Sequence, residues 1–409
     1  MVERRQVFYV EGYDPQGAEG YYGLFQLLLR RIRPIWPAQA EVGELKLDSE
    51  FLAHWDVEAS GPKWRVATHY EFLRLEHIIR AEMAEPIVLQ VPRAMVWALD
   101  YLITGTIVRV VRKGWPFGLH LLYFQAALLL WLALAVVGGG AAAHAVAATT
   151  GLPHLTAHAT GVIVGVACLA IMRPLVDRAH VLQGNRCWSS LSRFARGRAS
   201  DLDAPIEAFA QRLVAVARAN EADEIVVIGH SWGGAIAPLI VASALELDPD
   251  VGRRRARLVL LTLGSIMPAA ALHPDAVRLH KAIRRLAAEP SVRWLECEIY
   301  EDVLSCGFDP VQAAGIELGG RRCNPLPWQV QLRDMVHADL YGRLRWKFLR
   351  MHYQIIMAND RRAPYDYFLV ACGPLPVEEW AARGRDLVAA FSPDGTDAGP
   401  ALASPAAAD

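Results

Sequence analysis

EIVVIGHSWGGAI, residues 224–236, joins an apolar run to a Gly-His-Ser-Trp-Gly pentapeptide and then to a run of small residues. An apolar strand that enters a tight turn and leaves as a helix is the setting of a nucleophile elbow, which exposes a serine hydroxyl above a sheet edge. Glycines at 229 and 233 remove side chains that would collide across such a turn. The stretch therefore predicts Ser231 as a nucleophile, in an elbow completed by Gly229, His230 and Gly233.

Strand-like and helix-like segments alternate on both sides of this elbow. Predicted strands cover residues 6–10, 63–69, 224–228, 257–263 and 292–300, and predicted helices cover 21–35, 205–219 and 233–245. Strands that alternate with helices indicate an α/β fold with a doubly wound, mostly parallel sheet. Residues 392–409 consist largely of Pro, Ala, Gly, Ser and Asp, which predicts a disordered tail.

A serine nucleophile needs a histidine base and a carboxylate that orients the base, here in the chain order serine, acid, histidine. The strand expected at 292–300 ends at an acidic turn, and we predict Asp302 as the acid. Glu301 and Glu298 are alternatives because strand alternation also places them near this edge. A solvated acidic turn without a catalytic role is the remaining interpretation.

Two histidines follow that acidic turn, His337 and His352. His352 lies among apolar and aromatic residues, where a half-buried imidazole suits a general base, so it is the predicted base. His337 lies between Asp334 and Asp339 and is expected on a surface turn. A purely structural role for His352 stays open, and His230 is expected to support packing.

An acyl-transfer site also needs backbone donors for the oxyanion. One donor is the N–H after the nucleophile, which here belongs to Trp232, and the second comes from a loop after an early strand. The segment VEGYDP, residues 10–15, offers Gly12 and Tyr13 for that loop. An ordinary Asp-Pro turn is the alternative interpretation.

No Asp, Glu, Lys or Arg occurs between Lys113 and Arg173. Residues 116–137 and 155–172 are each long and apolar enough to cross a hydrocarbon layer of about 30 Å. We therefore predict a transmembrane hairpin whose connector, 138–154, is a short loop on the far side. A buried pair of core helices is the alternative.

Basic residues flank both predicted spans, at Arg109, Arg112 and Lys113 before the first and at Arg173, Arg178 and Arg186 after the second. The positive-inside rule then sets both outer ends, and the rest of the chain, in the cytoplasm. Residues 94–111 are mostly apolar but contain Asp100 and Arg109, which predicts a helix lying in the membrane interface.

The overall composition restricts the kinds of partner. Basic and acidic residues number 42 and 43, so no net field recruits nucleic acid. The six cysteines show no metal-ligand spacing, and His144, His154 and His158 are interpreted as polar loop residues, so neither a metal nor an organic cofactor is expected. Only five of the 42 basic residues are lysine, which is typical of a GC-rich bacterial genome.

Several of these segments together resemble the α/β-hydrolase superfamily: GHSWGG at the elbow, VEGYDP, RLVLLTLGSIMP at 257–268, the Glu-Asp turn at 301–302 and HYQ at 352–354. More narrowly, they are similar to bacterial membrane-associated serine hydrolases of lipase-like type. The resemblance covers most of residues 6–374, with the hairpin as an insertion. It implies an α/β-hydrolase fold, a Ser–His–Asp triad and acyl-ester chemistry.

These features predict a multi-pass protein of a bacterial inner membrane that hydrolyses lipid-derived or other apolar esters through an acyl-enzyme at Ser231. The alternatives are an acyltransferase with the same triad and an inactive membrane scaffold, and no protein partner is indicated. The expected organisation is an N-terminal part of the hydrolase domain at 1–93, a membrane insertion at 94–180, the remainder of the domain at 181–391, and the tail.

Overall fold

A computed structural model describes residues 1–150 and 153–390 of the chain. The fold divides into two units, each continuous in space. The first contains Met1–Arg80 and the described residues from Phe194 onward, and the second is Ala81–Arg193. The tail predicted at 392–409 lies outside the described residues.

The first unit is built on one nine-stranded sheet. Its strands are β1 Arg4–Val10, β2 Gln39–Val42, β3 Lys46–Leu47, β4 Leu52–Gly61, β5 Trp64–Leu73, β6 Glu224–His230, β7 Arg257–Leu263, β8 Val292–Ile299 and β9 Leu326–Val330. The order across the sheet is β2-β4-β5-β1-β6-β7-β8-β9, and β3 pairs with β4. The pairs from β5 to β9 are parallel, and the pairs at the other edge are antiparallel.

The described residues of the two units also form α-helices. They are α1 Gly17–Ile32, α2 Glu76–Ala84, α3 Ile87–Ile103, α4 Thr106–Lys113, α5 Trp115–Thr150, α6 His154–Arg178, α7 Val181–Ala195, α8 Asp203–Ala219, α9 Gly233–Leu247, α10 Met267–Ala271, α11 Val277–Ala287, α12 Pro310–Ala313, α13 Leu332–Met335, α14 Ala338–Leu344, α15 Phe348–Tyr353, α16 Tyr367–Cys372 and α17 Val377–Ala390. Short 3₁₀ turns lie at Ser200–Leu202, Gly319–Arg321 and Gln354–Ile356.

The α/β class and the mostly parallel sheet predicted from the sequence are confirmed. Every predicted strand and helix of the first unit corresponds to an element, with ends that move by a few residues. The strands β2, β3, β4 and β9 were missed, and β4 is the longest of them. Its alternating burial is carried by Ala53, Trp55, Val57 and Ala59, and two of these four side chains are too small to give an apolar signal.

Side chains of β1 alternate between two layers of helices, as expected of a doubly wound sheet. The Phe8 ring contacts Phe209 of α8 edge-on at 5.1 Å, whereas the Tyr9 ring contacts Tyr21 of α1 at 5.4 Å. Both faces of the central strand are therefore buried.

A buried ion pair joins β1 to β6. Arg5 donates from Nε and a terminal nitrogen to the carboxylate of Glu224, at 2.9 and 2.7 Å, and both side chains are fully buried. Arg5 also donates to the carbonyls of Gly373 and Leu375, and Glu224 accepts from the Val377 N–H. This network attaches the segment before α17 to the two central strands.

The second unit contains the long apolar helix hairpin formed by α5 and α6. The connector predicted at 138–154 is wrong as a loop, because α5 continues without a break to Thr150. Glycine and alanine in this stretch are not turn residues but allow close packing. A Cβ on Gly139 would lie 2.5 Å from the Gly161 carbonyl, and one on Gly165 would lie 3.1 Å from the Ala135 carbonyl.

These contacts fix the antiparallel register of the hairpin. Gly139 faces Gly161, and Ala135 faces Gly165. A step of four residues towards the N-terminus of α5 therefore matches a step of four residues towards the C-terminus of α6. Continued along both helices, this register sets residues 128–145 of α5 beside residues 155–172 of α6. The whole of α6, His154–Arg178, lies by the same register beside residues 122–146 of α5, which overlap most of the predicted span at 116–137.

Both helices are long and apolar enough to cross a membrane. In their most apolar 18-residue windows only 28% and 11% of the residues are buried. A buried pair of core helices would have most of this surface covered, so the exposure disfavours that alternative.

The segment before the hairpin is not one helix as predicted for 94–111. It breaks into α3 and α4 at Gly105, whose φ of 67° is the left-handed conformation that glycine tolerates. The second unit, Ala81–Arg193, also includes more residues than the membrane insertion predicted at 94–180. It includes α7, because the rings of Trp97 and Phe117 pack on Trp188 of that helix.

The substitution Arg5→Met is expected to destabilise the first unit by about 3–5 kcal/mol, because it leaves the Glu224 carboxylate buried without its cation. The measurement is guanidinium unfolding of the full chain in detergent. Arg4→Met is the matched control. Arg4 pairs with Glu221 on the surface, and its loss should cost less than about 1 kcal/mol. Equal effects of the two substitutions would contradict a structural role for the buried pair.

Candidate active site

Ser231 occupies the turn between β6 and α9. Its φ is 54°, a left-handed value that is rare for a residue with a side chain. Three backbone hydrogen bonds hold it there: its N–H donates to the Leu263 carbonyl at 2.9 Å, and its carbonyl accepts from Gly234 and Ile266. Such strain is retained where the surroundings impose it, and it is concentrated at functional sites.

The two glycines of the elbow are required by close approaches. A Cβ on Gly229 would lie 2.6 Å from the Gly233 carbonyl, and a Cβ on Gly233 would lie 2.3 Å from the carbonyl of Val10. These distances leave no room for any side chain. The turn predicted from the Gly-x-Ser-x-Gly spacing is therefore present, with the physical reason that the sequence suggested.

Asp302 and His352 form a buried hydrogen-bonded pair. His352 Nδ1 lies 2.6 Å from Asp302 Oδ2, although 50 residues separate them. Asp302 follows the end of β8, and its carboxylate also accepts from the Leu304 N–H and the Ser305 hydroxyl. Burial would raise the pKa of Asp302, but the facing imidazole and these hydrogen bonds hold it below its ordinary value. The carboxylate is thus an ionised acceptor that orients the ring.

The two alternative acids and the histidine not favoured as the base make other contacts. Glu301 accepts from the N–H of Leu332 and faces Arg333. Glu298 accepts from the Gly307 N–H, and burial raises its pKa to about 7, so near neutral pH it is partly protonated. His337 is exposed at the start of α14. Of the residues weighed from the sequence, Asp302 and His352 are the pair that the fold brings together.

His230 and Gly264 form the walls around His352. The His230 ring stacks on the His352 ring at 5.1 Å, and a Cβ on Gly264 would lie 3.0 Å from His352 Cε1. Burial, together with the charge of His352, holds the pKa of His230 well below its ordinary value, so this ring is neutral. His230 was expected to support packing, and the residue it packs against is the predicted base, His352. His230 is also the residue directly before Ser231 in the chain.

The loop after β1 lies directly against the elbow. A Cβ on Gly12 would lie 3.3 Å from Ser231 Cβ, and the Tyr13 ring meets the Trp232 ring edge-on at 5.8 Å. The backbone N–H groups of Gly12 and Trp232 have no hydrogen-bond acceptor within residues 1–150 and 153–390. They are therefore available beside Ser231 to bind an anion.

Within the same ranges the Ser231 hydroxyl makes no hydrogen bond to His352. The two residues are linked through His230. This residue directly precedes Ser231 in the chain, and its ring stacks on the imidazole of His352. Serine–histidine contacts are often long without substrate and tighten when it binds, so the missing hydrogen bond does not argue against His352 as the base. His352 uses Nδ1 for Asp302, which leaves Nε2 for proton transfer.

A hydrogen bond that the sequence did not predict connects the Gly12 loop to the helix of His352. The Tyr353 hydroxyl donates to the Asp14 carboxylate across 339 residues of sequence. Tyr353 also meets the His230 ring edge-on at 5.4 Å. No local sequence pattern predicts a contact between residues so far apart in the chain. The sequence showed only that Asp14 and Tyr353 each lie beside a predicted site residue.

The three histidines interpreted as loop residues lie on helices. His144 belongs to α5, and His154 and His158 begin α6, where His158 Nδ1 contacts the His154 carbonyl at 2.6 Å. Their predicted position in a loop is wrong, because α5 continues past His144 and α6 begins at His154.

Comparison with known proteins finds no matching family model, no matching curated protein and no matching solved structure.

The substitution Tyr353→Phe is expected to slow fluorophosphonate labelling of Ser231 about tenfold, the equivalent of about 1.4 kcal/mol of lost positioning. It removes the donor to Asp14 while retaining the ring that contacts His230. Tyr300→Phe, at an exposed tyrosine after β8, is the control and should label at the wild-type rate. Equal rates for all three chains would contradict a positioning role for Tyr353.

Proposed function

We propose that this chain is a membrane-anchored serine hydrolase of the α/β-hydrolase type that cleaves carboxylic esters through an acyl-enzyme at Ser231. The observation that carries the proposal is the buried Asp302–His352 pair at the same edge of the sheet as a strained serine turn. The order of these groups along the chain is serine, acid, histidine, which is the order of that fold.

The proposed reaction begins when Ser231 Oγ attacks the ester carbonyl and passes its proton to His352 Nε2. Asp302 accepts the Nδ1 proton in a hydrogen bond and stabilises the imidazolium that forms. The tetrahedral intermediate collapses, the C–O bond to the alcohol breaks, and His352 returns the proton to the leaving oxygen. A water molecule, deprotonated by the same imidazole, then releases the acid from Ser231.

The negative charge of the tetrahedral intermediate needs donors that are already in place. The free N–H groups of Gly12 and Trp232 supply two, and the fixed packing of Tyr13 on Trp232 preserves their spacing. Preorganised donors of this kind are worth about 2.7–4 kcal/mol each in a serine hydrolase.

The second unit supports a substrate that partitions into lipid. Large apolar side chains are exposed along α3 as well as along the hairpin. On α3 they are Val88, Leu89, Val96, Leu99, Leu102 and Ile103. An exposed apolar surface of this size is typical of contact with a membrane. The basic residues on both outer flanks favour a cytoplasmic position for the first unit, in a bacterial inner membrane.

Ser231→Ala is expected to abolish fluorophosphonate labelling and to lower the turnover of a p-nitrophenyl ester by about 10⁶, because the members of a triad act as a unit. His352→Ala should do nearly as much. Asp302→Asn should cost about 10⁴, since this acid fixes the tautomer and stabilises the imidazolium.

The exposed His337 provides the matched control for the base. His337→Ala should keep wild-type turnover, and loss of activity there with activity retained in His352→Ala would overturn the assignment. Turnover that persists in Ser231→Ala would remove the serine mechanism altogether.

The membrane proposal predicts that the full chain stays in the pellet after high-salt and carbonate washes and is released by detergent. Burial of an apolar hairpin, at about 25 cal/mol per Å², is not weakened by screening of surface charge. An impermeant maleimide applied to spheroplasts should label Ala148→Cys, at the exposed end of α5, above the level of the parent chain.

The control is Lys63→Cys, in the exposed turn between β4 and β5, which should be labelled only after lysis. Release by carbonate, or labelling of Lys63→Cys in intact spheroplasts, would overturn the proposed topology.

A further inference from the structure

A cluster of histidines and carboxylates lies on one face of the antiparallel pair β4–β5. Asp56 is paired in register with His69, and His54 is paired with Glu71, so these four side chains form two adjacent cross-strand pairs. Ligand atoms of His54, Asp56 and His69 all lie within 4.8 Å of one another. We propose that these three residues bind a divalent transition-metal ion, with zinc as the best fit.

Neighbouring carboxylates hold the two imidazoles in the orientation that such a site requires. Asp48 Oδ2 lies 2.5 Å from His54 Nδ1, which leaves His54 Nε2 as the ligand. Glu71 Oε1 lies 3.5 Å from His69 Nε2, and His69 Nδ1 lies 2.6 Å from Asp56 Oδ1. A carboxylate on the second ring nitrogen is the usual support of a metal-bound histidine, because it fixes the tautomer and ring orientation.

Charge favours a cation at this position. Asp48, Asp56 and Glu71 place three carboxylates around two imidazole rings whose centroids are 4.7 Å apart. Arg212 donates to Glu71 at 2.8 Å and neutralises that carboxylate. A divalent ion beside Asp56 would balance the remaining two.

The donor types point to zinc. Imidazole nitrogen and carboxylate oxygen suit Zn²⁺ in a tetrahedral shell, with bonds of about 2.0–2.2 Å and ligand atoms about 3.3 Å apart. Small rotations of the three side chains would reach that spacing. The Asp56 side chain is 59% exposed, so the site is open and water would supply the fourth ligand.

The sequence alone did not indicate this site. His54 and Asp56 are two residues apart and His69 follows thirteen residues after Asp56, which is not a recognised ligand spacing. The register of β4 against β5 brings the three together, and β4 was one of the strands missed from the sequence.

The test uses the untagged full chain in detergent, stripped with a chelator and dialysed against zinc or cobalt. Wild type should retain one zinc per chain by elemental analysis, and the cobalt form should show the intense visible bands of a tetrahedral site. His54→Ala and His69→Ala should lose stoichiometric zinc, and Asp48→Asn should bind zinc about 10–100-fold more weakly.

His77→Ala is the matched control, since His77 is an exposed histidine on α2, and it should bind zinc as wild type does. Far-UV circular dichroism checks the folding of each variant. If a variant fails to fold, two measurements on wild type test the metal site instead. They are the rise in its thermal midpoint on addition of zinc and its cobalt spectrum.

Zinc content that is unchanged in both histidine variants, or absent from wild type in excess zinc, would overturn the proposal. The cluster would then be only a hydrogen-bonded network. None of these measurements depends on ester hydrolysis. The metal site and the serine mechanism are therefore tested independently.

Discussion

The first turn of α9 lies so close to the end of β1 that a side chain has no room between them. The carbonyls of Val10 and Glu11 are 2.3 and 2.4 Å from the position that a Cβ on Gly233 would occupy. This contact sets the Ser231 turn against the Gly12 loop, and the Asp14–Tyr353 hydrogen bond then sets that loop against α15. The positions of His352 and Asp302 relative to the serine thus depend on one steric constraint between a helix and a strand.

What could be predicted from the sequence was local or followed from parallel topology. The elbow is a pattern within a few residues, and its glycines have the steric role that the spacing implied. Asp302 could be chosen because it follows the carboxyl end of a strand, and His352 because it lies after that acid among apolar and aromatic residues. Their hydrogen bond, and that of Tyr353 to Asp14, depend on loop conformations that no periodicity encodes.

Two of the errors share a cause, which is that alanine and glycine occur both in loops and in closely packed strands and helices. Ala53 and Ala59 are buried in β4, yet alanine gives little strand signal. The glycines and alanines at 138–150 were interpreted as a loop, although in an apolar setting such residues let two helix backbones approach closely. In both places the partner element decides the structure, and a single sequence does not display the partner.

The insertion of the second unit between β5 and α8 has a consequence for biosynthesis. The central strand β1 pairs with β6, and Arg5 meets Glu224 only after 219 further residues have been translated. Both apolar helices leave the ribosome within that interval. The nascent N-terminal strands must therefore wait, incomplete at one edge, until both apolar helices and β6 have been synthesised. Exposed strand edges of this kind are prone to aggregate, so this chain is expected to need a chaperone until β6 pairs with β1.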